Sequence, residues 1–374
     1  MLSSKELPQH LTMSERWRAY AQMDGTAVGS VGPWWWRMSA TFFSELYGLA
    51  IYLRSQLYSF GLLRSRTLPG RTISIGNLAA GGTGKSPLTI RLAELLVQAG
   101  GRPAILTRGY GSDLKSSDSM AILGGKLCMN PVRQARAPDE GMMQSVALPT
   151  VPVIIGRERY AAAQRFLREQ PHNAPTHWLL DDGMQHWQLA RDFELVLLDA
   201  RAPLPRLLPR GVARERVSAL KRADSIILTR CSAGLPTVDQ LKILGNLTSA
   251  SIAQTAMLTR LPEHSVEGGH SFDSSIHAPI CLVSAVAQPE ALLAAVTIQL
   301  GLAVAAEIRL ADHGLIDRRR LLSAAAASGS ILTTAKDYWR DPRVFAGLPQ
   351  PVFILQLIVM NADAALQPLI RQLI

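Results

Sequence analysis

The stretch GNLAAGGTGKSP, residues 76–87, constrains the fold of this chain more than any other. RTISI precedes it, a short β-branched run that reads as a buried strand. LTIRLAELLVQAGG follows, with Leu88, Leu92, Leu95 and Leu96 on one helical face and Gly100-Gly101 as a stop. A strand, a glycine-rich turn and a helix opening at Gly84-Lys85-Ser86 make a cradle for nucleotide phosphates. The glycines let backbone N–H groups crowd an anion, and the new helix aims its positive dipole end at it. Lys85 is spaced to reach the β- and γ-phosphates, and the Ser86 hydroxyl to ligate Mg²⁺. The general pattern G-x-x-x-x-G-K-[ST] asks for glycine at 79, where this chain has Ala79; Gly81-Gly82 supply flexibility two residues later.

At 374 residues the chain is long enough for two domains, each with its own core. Its net charge of +10 comes mostly from arginine and favours anionic partners. Nucleic acid is disfavoured among these, because no aromatic residues interleave with the basic ones in a binding pattern. Cys128, Cys231 and Cys281 lie far apart and form no CxxC, so they read as ordinary residues of a reducing compartment with no zinc framework.

Residues 1–32 are polar and aperiodic, and read as a disordered extension without the apolar core of a signal peptide. In residues 33–63, Trp34, Trp35 and Trp36 lead a helical stripe of Met38, Phe42, Leu46, Leu49, Leu53, Leu57 and Phe60. Arg37, Glu45 and Arg54 interrupt the segment, so no uncharged run approaches the ~18 residues of a spanning helix. The tryptophans favour a helix lying in the headgroup layer; the alternative is a helix packed on its own domain. From 71 to 230, apolar strands alternate with helices, which predicts a mostly parallel sheet covered on both faces. Ligands of such sheets collect at strand carboxyl ends, here Arg108-Gly109-Tyr110, Asp181-Asp182 and Asp199. Residues 231–275 read as a linker or hinge region, and 276–374 as a second, smaller α/β domain.

Asp181-Asp182 closes the strand HWLL where phosphoryl-transfer proteins of this layout hold Mg²⁺. Between 201 and 222, seven basic residues face the single acid Glu215; with prolines and Gly211 in the first half, this predicts a loop presenting arginines to a phosphorylated substrate. Asp139-Glu140 and Asp312-His313 are each compatible with a turn or a helix cap, and the residues alone leave their roles open.

Taken together, these segments resemble the tetraacyldisaccharide 4′-kinases, which phosphorylate the lipid A precursor. The motifs stand in the family's order as GNLAAGGTGKSP, TRGYG, APDEG, ERYAA, DDGMQH with Arg191-Asp192, LLPRGVARERVSALKRAD, ADHG and TTAKD, from about residue 34 to 340. The resemblance implies a P-loop kinase core with a smaller α/β domain and an N-terminal amphipathic helix. It implies that Ala79, Ala80, Gly81, Gly82, Thr83, Gly84, Lys85 and Ser86 bind ATP, and that Ser86, Asp181 and Asp182 serve Mg²⁺. By the same resemblance Asp139 is the catalytic carboxylate, His313 the histidine that supports it, and Lys85 holds the triphosphate. Arg108, Tyr110, Arg159, Gln185, His186 and Arg214 match positions near the sugar-phosphate substrate. The chain departs from the pattern at Ser86, Met184, Gly141, Gly314 and Ala335; the last replaces a glutamate and leaves the role of residues 333–337 in question.

The reading that follows is an ATP-dependent kinase of an anionic glycolipid, acting on the lipid surface at the cytoplasmic face of a bacterial inner membrane. The rival is a membrane-associated P-loop switch ATPase. Its loop carries a lysine before the paired glycines, where this chain has Ala80.

Overall fold

The computed structural model describes residues 34–79, 82–110, 112–133, 135–261, 265–267, 270–272, 275–286, 289–310 and 314–374. The extension 1–32, loop residues Ala80 and Gly81, and Asp312 with His313 lie outside the described residues.

In chain order, α1 (Trp34–Ser59) precedes β1 (Arg71–Asn77), α2 (Lys85–Gln98), β2 (Pro103–Thr107) and the short strands β3 (Ser119–Leu123) and β4 (Lys126–Met129). Then come α3 (Asp139–Ala147), β5 (Val153–Gly156), α4 (Arg159–Glu169), β6 (His177–Asp181), β7 (Phe193–Asp199) and β8 (Ser225–Thr229). The stretch from 231 onward holds α5 (Val238–Leu247), β9 (Ser251–Gln254), β10 (Ala256–Arg260) and the strands β11 (Ser265–Glu267) and β12 (His270–Phe272). The chain closes with β13 (Ile280–Ser284), α6 (Pro289–Ala294), β14 (Val304–Arg309), α7 (Arg318–Ala325), β15 (Ser330–Thr334), α8 (Ala335–Arg340), α9 (Pro342–Phe345), β16 (Val352–Met360) and α10 (Ala362–Leu373). The architecture is α/β, with a large, mostly parallel sheet and a second, smaller one.

Two compact units emerge: one from the chain up to Lys85 plus Leu180–Ala256, the other from Ser86–Leu179 plus Met257–Ile374. In the first, β1, β7, β8 and β9 run parallel in that order, Gly76 standing opposite Val196 and Leu198 opposite Leu228. Their near-continuous apolar runs are what a parallel strand needs when both faces are covered. Leu78, Met184, Val196, Leu198, Ile226, Leu228 and Leu244 pack together as one buried cluster. A methyl group on Gly76 would lie 2.4 Å from the Met184 side chain and 2.7 Å from its backbone nitrogen, so β1 passes the turn after β6 too closely for any other residue. Glu194, buried on β7, accepts from Ser74 Oγ and Arg191, each at 2.6 Å; burial nonetheless pushes its carboxyl above the ordinary value.

Helix α1 belongs to this unit and docks on it through polar groups. Ser44 Oγ donates to the Leu207 carbonyl at 3.2 Å, Tyr47 OH to that of Arg214 at 3.0 Å, and Glu45 pairs with Arg216 at 2.5 Å. The apolar stripe expected from sequence faces outward: Met38, Phe42, Leu46, Leu49, Leu53, Leu57 and Phe60 are all exposed. Among the described residues no helix is long and apolar enough to cross a membrane.

In the second unit β2 pairs parallel with β5, and β3 runs antiparallel to both β5 and β4. The smaller sheet has the order β10-β16-β15-β13-β14, with β14, β13, β15 and β16 parallel. Alternate residues of β13 serve its two faces: Cys281 and Val283 pack with Ile308, Leu321 and Tyr338, Ile280 and Leu282 with Val296, Leu332 and Phe353. Arg91 of α2 grips Asp363 of α10 by two bonds of 2.6 Å, which holds the Asp363 carboxyl below its ordinary value.

Candidate active site

In the first unit the polar side chains gather at the carboxyl end of β1. Asn77, its last residue, is the hub. Its Nδ2 donates to the Ala79 carbonyl at 2.6 Å, which turns the chain into the glycine loop. Its Oδ1 accepts from Lys85 Nζ at 3.0 Å and from Arg214 Nη2 at 2.5 Å. Its backbone carbonyl accepts from Gln185 and from Arg214, each at 3.2 Å. Asn77 thus fixes Lys85, Gln185 and Arg214 around one point.

Asp181 ends β6 and is buried; Asp182 follows with φ 54°, in the left-handed region that aspartate tolerates better than most residues. This backbone turns the Asp182 carboxylate back toward the cations. Arg214 donates to both of its oxygens, at 2.7 and 2.8 Å, and Lys85 Nζ lies 3.4 Å away. Gln185 also donates to Glu215 at 3.0 Å, and Arg222 pairs with the same carboxylate at 2.8 Å. His186 sits half-buried in the turn, its N–H bonded to the Gly183 carbonyl.

The loop is held from its other side by the end of β8. Thr229 Oγ1 donates to the Thr83 carbonyl at 3.0 Å and Arg230 Nη2 to that of Gly82 at 2.5 Å. Arg230 also pairs with Asp199 at 2.9 Å. Burial would raise the Asp199 carboxyl, but hydrogen bonds from Arg201 and the charges of Arg201 and Arg230 outweigh it and hold the group below its ordinary value. Gly84, with φ 84°, opens α2 in a conformation that a side chain would strain. A glycine turn at a helix start, with a lysine and an arginine converging on it, fits a polyphosphate.

The arginine segment is engaged differently from the expectation. Arg214 alone of its members joins the cluster around Asn77. Arg201 is bonded to Asp199, Arg216 to Glu45, and Arg222 to Glu215 while lying 4.2 Å over the Trp187 ring. Asp199 and Glu45, outside the segment, and Glu215, within it, already pair with these three.

In the second unit Asp139 is the first residue of α3, placed there by Pro138, whose extended backbone suits a helix entrance. It is buried; its Oδ1 accepts from the Glu140 N–H at 2.9 Å and its Oδ2 lies 3.4 Å from Arg340 Nη2. Arg108 and Tyr110 are exposed just past β2, Arg159 is buried at the first position of α4, and Ser86 is the second residue of α2. The sequence reading did not identify Asn77, Arg230 or Arg340. For Asn77 a signal existed: a lone amide at the end of an apolar strand, directly before the glycine loop.

A model of the tetraacyldisaccharide-1-P 4′-kinase family matches residues 36–374. The tetraacyldisaccharide 4′-kinase of Geobacter sulfurreducens is 33% identical over 299 residues, which cover 79% of this chain and 81% of that one. That of Pelobacter propionicus is 32% identical over 339 residues, 86% of this chain and 88% of its own. Among solved structures, the "apo" form of LpxK from Aquifex aeolicus in complex with ATP is similar with a TM-score of 0.69 and 27% identity, over 90% of this chain and 99% of that one. Since the match runs from the first turn of α1 to the last residue, and relatives matched over four-fifths or more of their length agree with it, this chain belongs to the tetraacyldisaccharide-1-P 4′-kinase family.

Proposed function

We propose that this chain transfers the γ-phosphoryl group of ATP to the 4′-hydroxyl of a tetraacylated disaccharide 1-phosphate, giving lipid IV-A. The observation that carries the reading is the convergence of Lys85 and Arg214 on Asn77 and Asp182, at the strand end that leads into the glycine loop, in a chain of this family. Lys85 supplies a point charge to the phosphates and Arg214 a planar fork. The sugar hydroxyl attacks the γ-phosphorus; a new O–P bond forms as the bond to the bridging oxygen breaks, ADP leaves, and the hydroxyl proton passes to the Asp139 carboxylate. A hydroxyl needs such a base because its own pKa lies far above neutral. His313 as support for Asp139, and Arg108, Tyr110, Arg159, Gln185 and His186 as substrate contacts, belong to the same proposal.

The donor set fits Mg²⁺: Asp181, Asp182 and the Ser86 hydroxyl offer hard oxygens. Among the described residues no cluster of three or more His, Cys, Asp or Glu could hold a metal alone, which suits an ion that takes one or two carboxylates plus phosphate oxygens. When bound, the ion supplies charge neutralisation at the transferring phosphoryl group.

The outward stripe of α1 supports association with the lipid surface at the cytoplasmic face of an inner membrane, where such a substrate resides. The division into a P-loop core over 71–230, a hinge region over 231–275 and a smaller domain over 276–374 is part of this reading. Its test is phosphate transfer from labelled ATP, with Mg²⁺, to the purified disaccharide lipid in detergent. A labelled lipid product is expected. ATP hydrolysis with no label on the lipid would replace the reading by that of a nucleotide-switch ATPase.

A further inference from the structure

The segment TTAKDYWR, residues 333–340, ends β15 and forms α8. Its polar side chains converge on the start of α3. Thr334 caps α8: its Oγ1 accepts from the Asp337 N–H at 3.3 Å and donates to Asp337 Oδ2 at 2.6 Å. The same carboxylate oxygen accepts from the Ala285 N–H at 3.0 Å, just past β13. Asp337 is thereby locked, and its free oxygen, Oδ1, accepts from Arg340 Nη1 at 3.0 Å. Arg340 Nη1 also donates to the Gly314 carbonyl at 3.2 Å, and Nη2 lies 3.4 Å from Asp139 Oδ2. One turn earlier, Lys336 Nζ pairs with Glu140 at 3.0 Å. Lys336 and Arg340, four residues apart, share one face of α8 and meet the two consecutive acids that open α3.

Exposed ion pairs of this kind contribute little. Here the side chains of Arg340, Asp139 and Asp337 are only 11%, 7% and 1% exposed. A carboxyl group turns easily about its last torsion, which has broad wells. The Glu140 N–H holds one Asp139 oxygen, and the guanidinium 3.4 Å from the other restricts the turn further. None of these contacts involves the side chain at 335, so the segment keeps its connections without a glutamate there.

We propose that Arg340, braced by Asp337, is a positioning residue that fixes the plane of the Asp139 carboxylate for phosphoryl transfer. The inference rests on Asp139 taking the hydroxyl proton, as proposed above. Full-length Asp139→Ala, Arg340→Ala, Arg340→Lys and Asp337→Asn are compared for kcat, KM for ATP, and thermal midpoint. Asp139→Ala should lose at least about 10²-fold in kcat. Arg340→Ala should lose about 10- to 100-fold in kcat while KM for ATP changes by less than about threefold, and millimolar guanidinium should restore part of the loss. Arg340→Lys keeps the charge without the fork, and should fold normally yet turn over about tenfold more slowly. The double variant Asp139→Ala/Arg340→Ala should be no slower than Asp139→Ala alone. Normal turnover in Arg340→Lys and Arg340→Ala beside an inactive Asp139→Ala would overturn the positioning role and spare the role of Asp139. An active Asp139→Ala would overturn both. Should Arg340→Ala fail to fold, Arg340→Lys and Asp337→Asn decide the matter by the same criteria.

Discussion

Lys85 and Arg214 can reach a triphosphate only by leaving a carboxylate that already holds them. Asp182→Asn preserves the size of that side chain and removes its charge. Lys85 Nζ lies 3.4 Å from Asp182, whose side chain is 42% exposed, so solvent screens the pair. At that distance and an effective dielectric of about 40–80, the attraction is about 1–2.5 kcal/mol. Removing the competitor should therefore tighten ATP about tenfold when Mg²⁺ is chelated, since tenfold corresponds to about 1.4 kcal/mol. With Mg²⁺ present the same variant should turn over at least about 10²-fold more slowly, because the carboxylate proposed to hold the ion has lost its charge. Calorimetric titration of ATP in EDTA, beside phosphate transfer in Mg²⁺, reads both signs in one protein. If Asp182→Asn binds ATP in EDTA no more tightly than the native chain, the carboxylate does not compete for these cations and the reasoning fails.

Lys85→Ala should lower turnover by about 10²-fold, measured by phosphate transfer, as one well-placed charge is removed from the transferring group. Gly76→Ala forces a methyl to within 2.4 Å of the Met184 side chain and should cost about 1–3 kcal/mol, seen as a lower midpoint in urea. Replacing Phe42, Leu46 and Leu53 by serine should shift the protein from sedimenting vesicles to the supernatant without lowering its thermal midpoint, because all three are exposed. Burial would raise the Asp118 carboxyl, but the Val132, Arg133 and Ser119 N–H groups and the Arg165 charge hold it below its ordinary value of 3.8. Its stabilisation is therefore complete above that value and lost as pH falls through the lower folded one. The urea-midpoint gap between the native chain and Asp118→Asn should be present near pH 6 and close progressively as the pH falls below 3.8.

The strand and helix that flank the glycine loop were legible because their signals are local: a β-branched strand, glycines at fixed offsets and a helix of period 3.6. The parallel core was legible from runs such as DSIILTR, which only strands covered on both faces can use. The β3–β4 pair escaped the reading although Gly124-Gly125 marks a two-residue turn between its strands; each strand is too short to show a period. The ion pairs of Arg201 and Arg216 were not legible in the segment, because Asp199 and Glu45, the acids that hold them, lie outside it. Arg340 was illegible for the same reason. Its meaning depends on Asp139, 201 residues away in sequence, and only the folded chain brings the two side chains together.

Seated on a lipid film as proposed, the outward stripe of α1 would change what concentration means for this protein. A helix fastened to its unit by Ser44, Glu45 and Tyr47 leaves its apolar side to meet whatever surface is at hand. An enzyme seated on a film samples the area around it rather than the volume of the tube. Its rate then follows the mole fraction of substrate among the amphiphiles. Adding inert detergent at fixed substrate slows it as surely as removing substrate would, and a KM expressed in molar units describes the vessel rather than the chain.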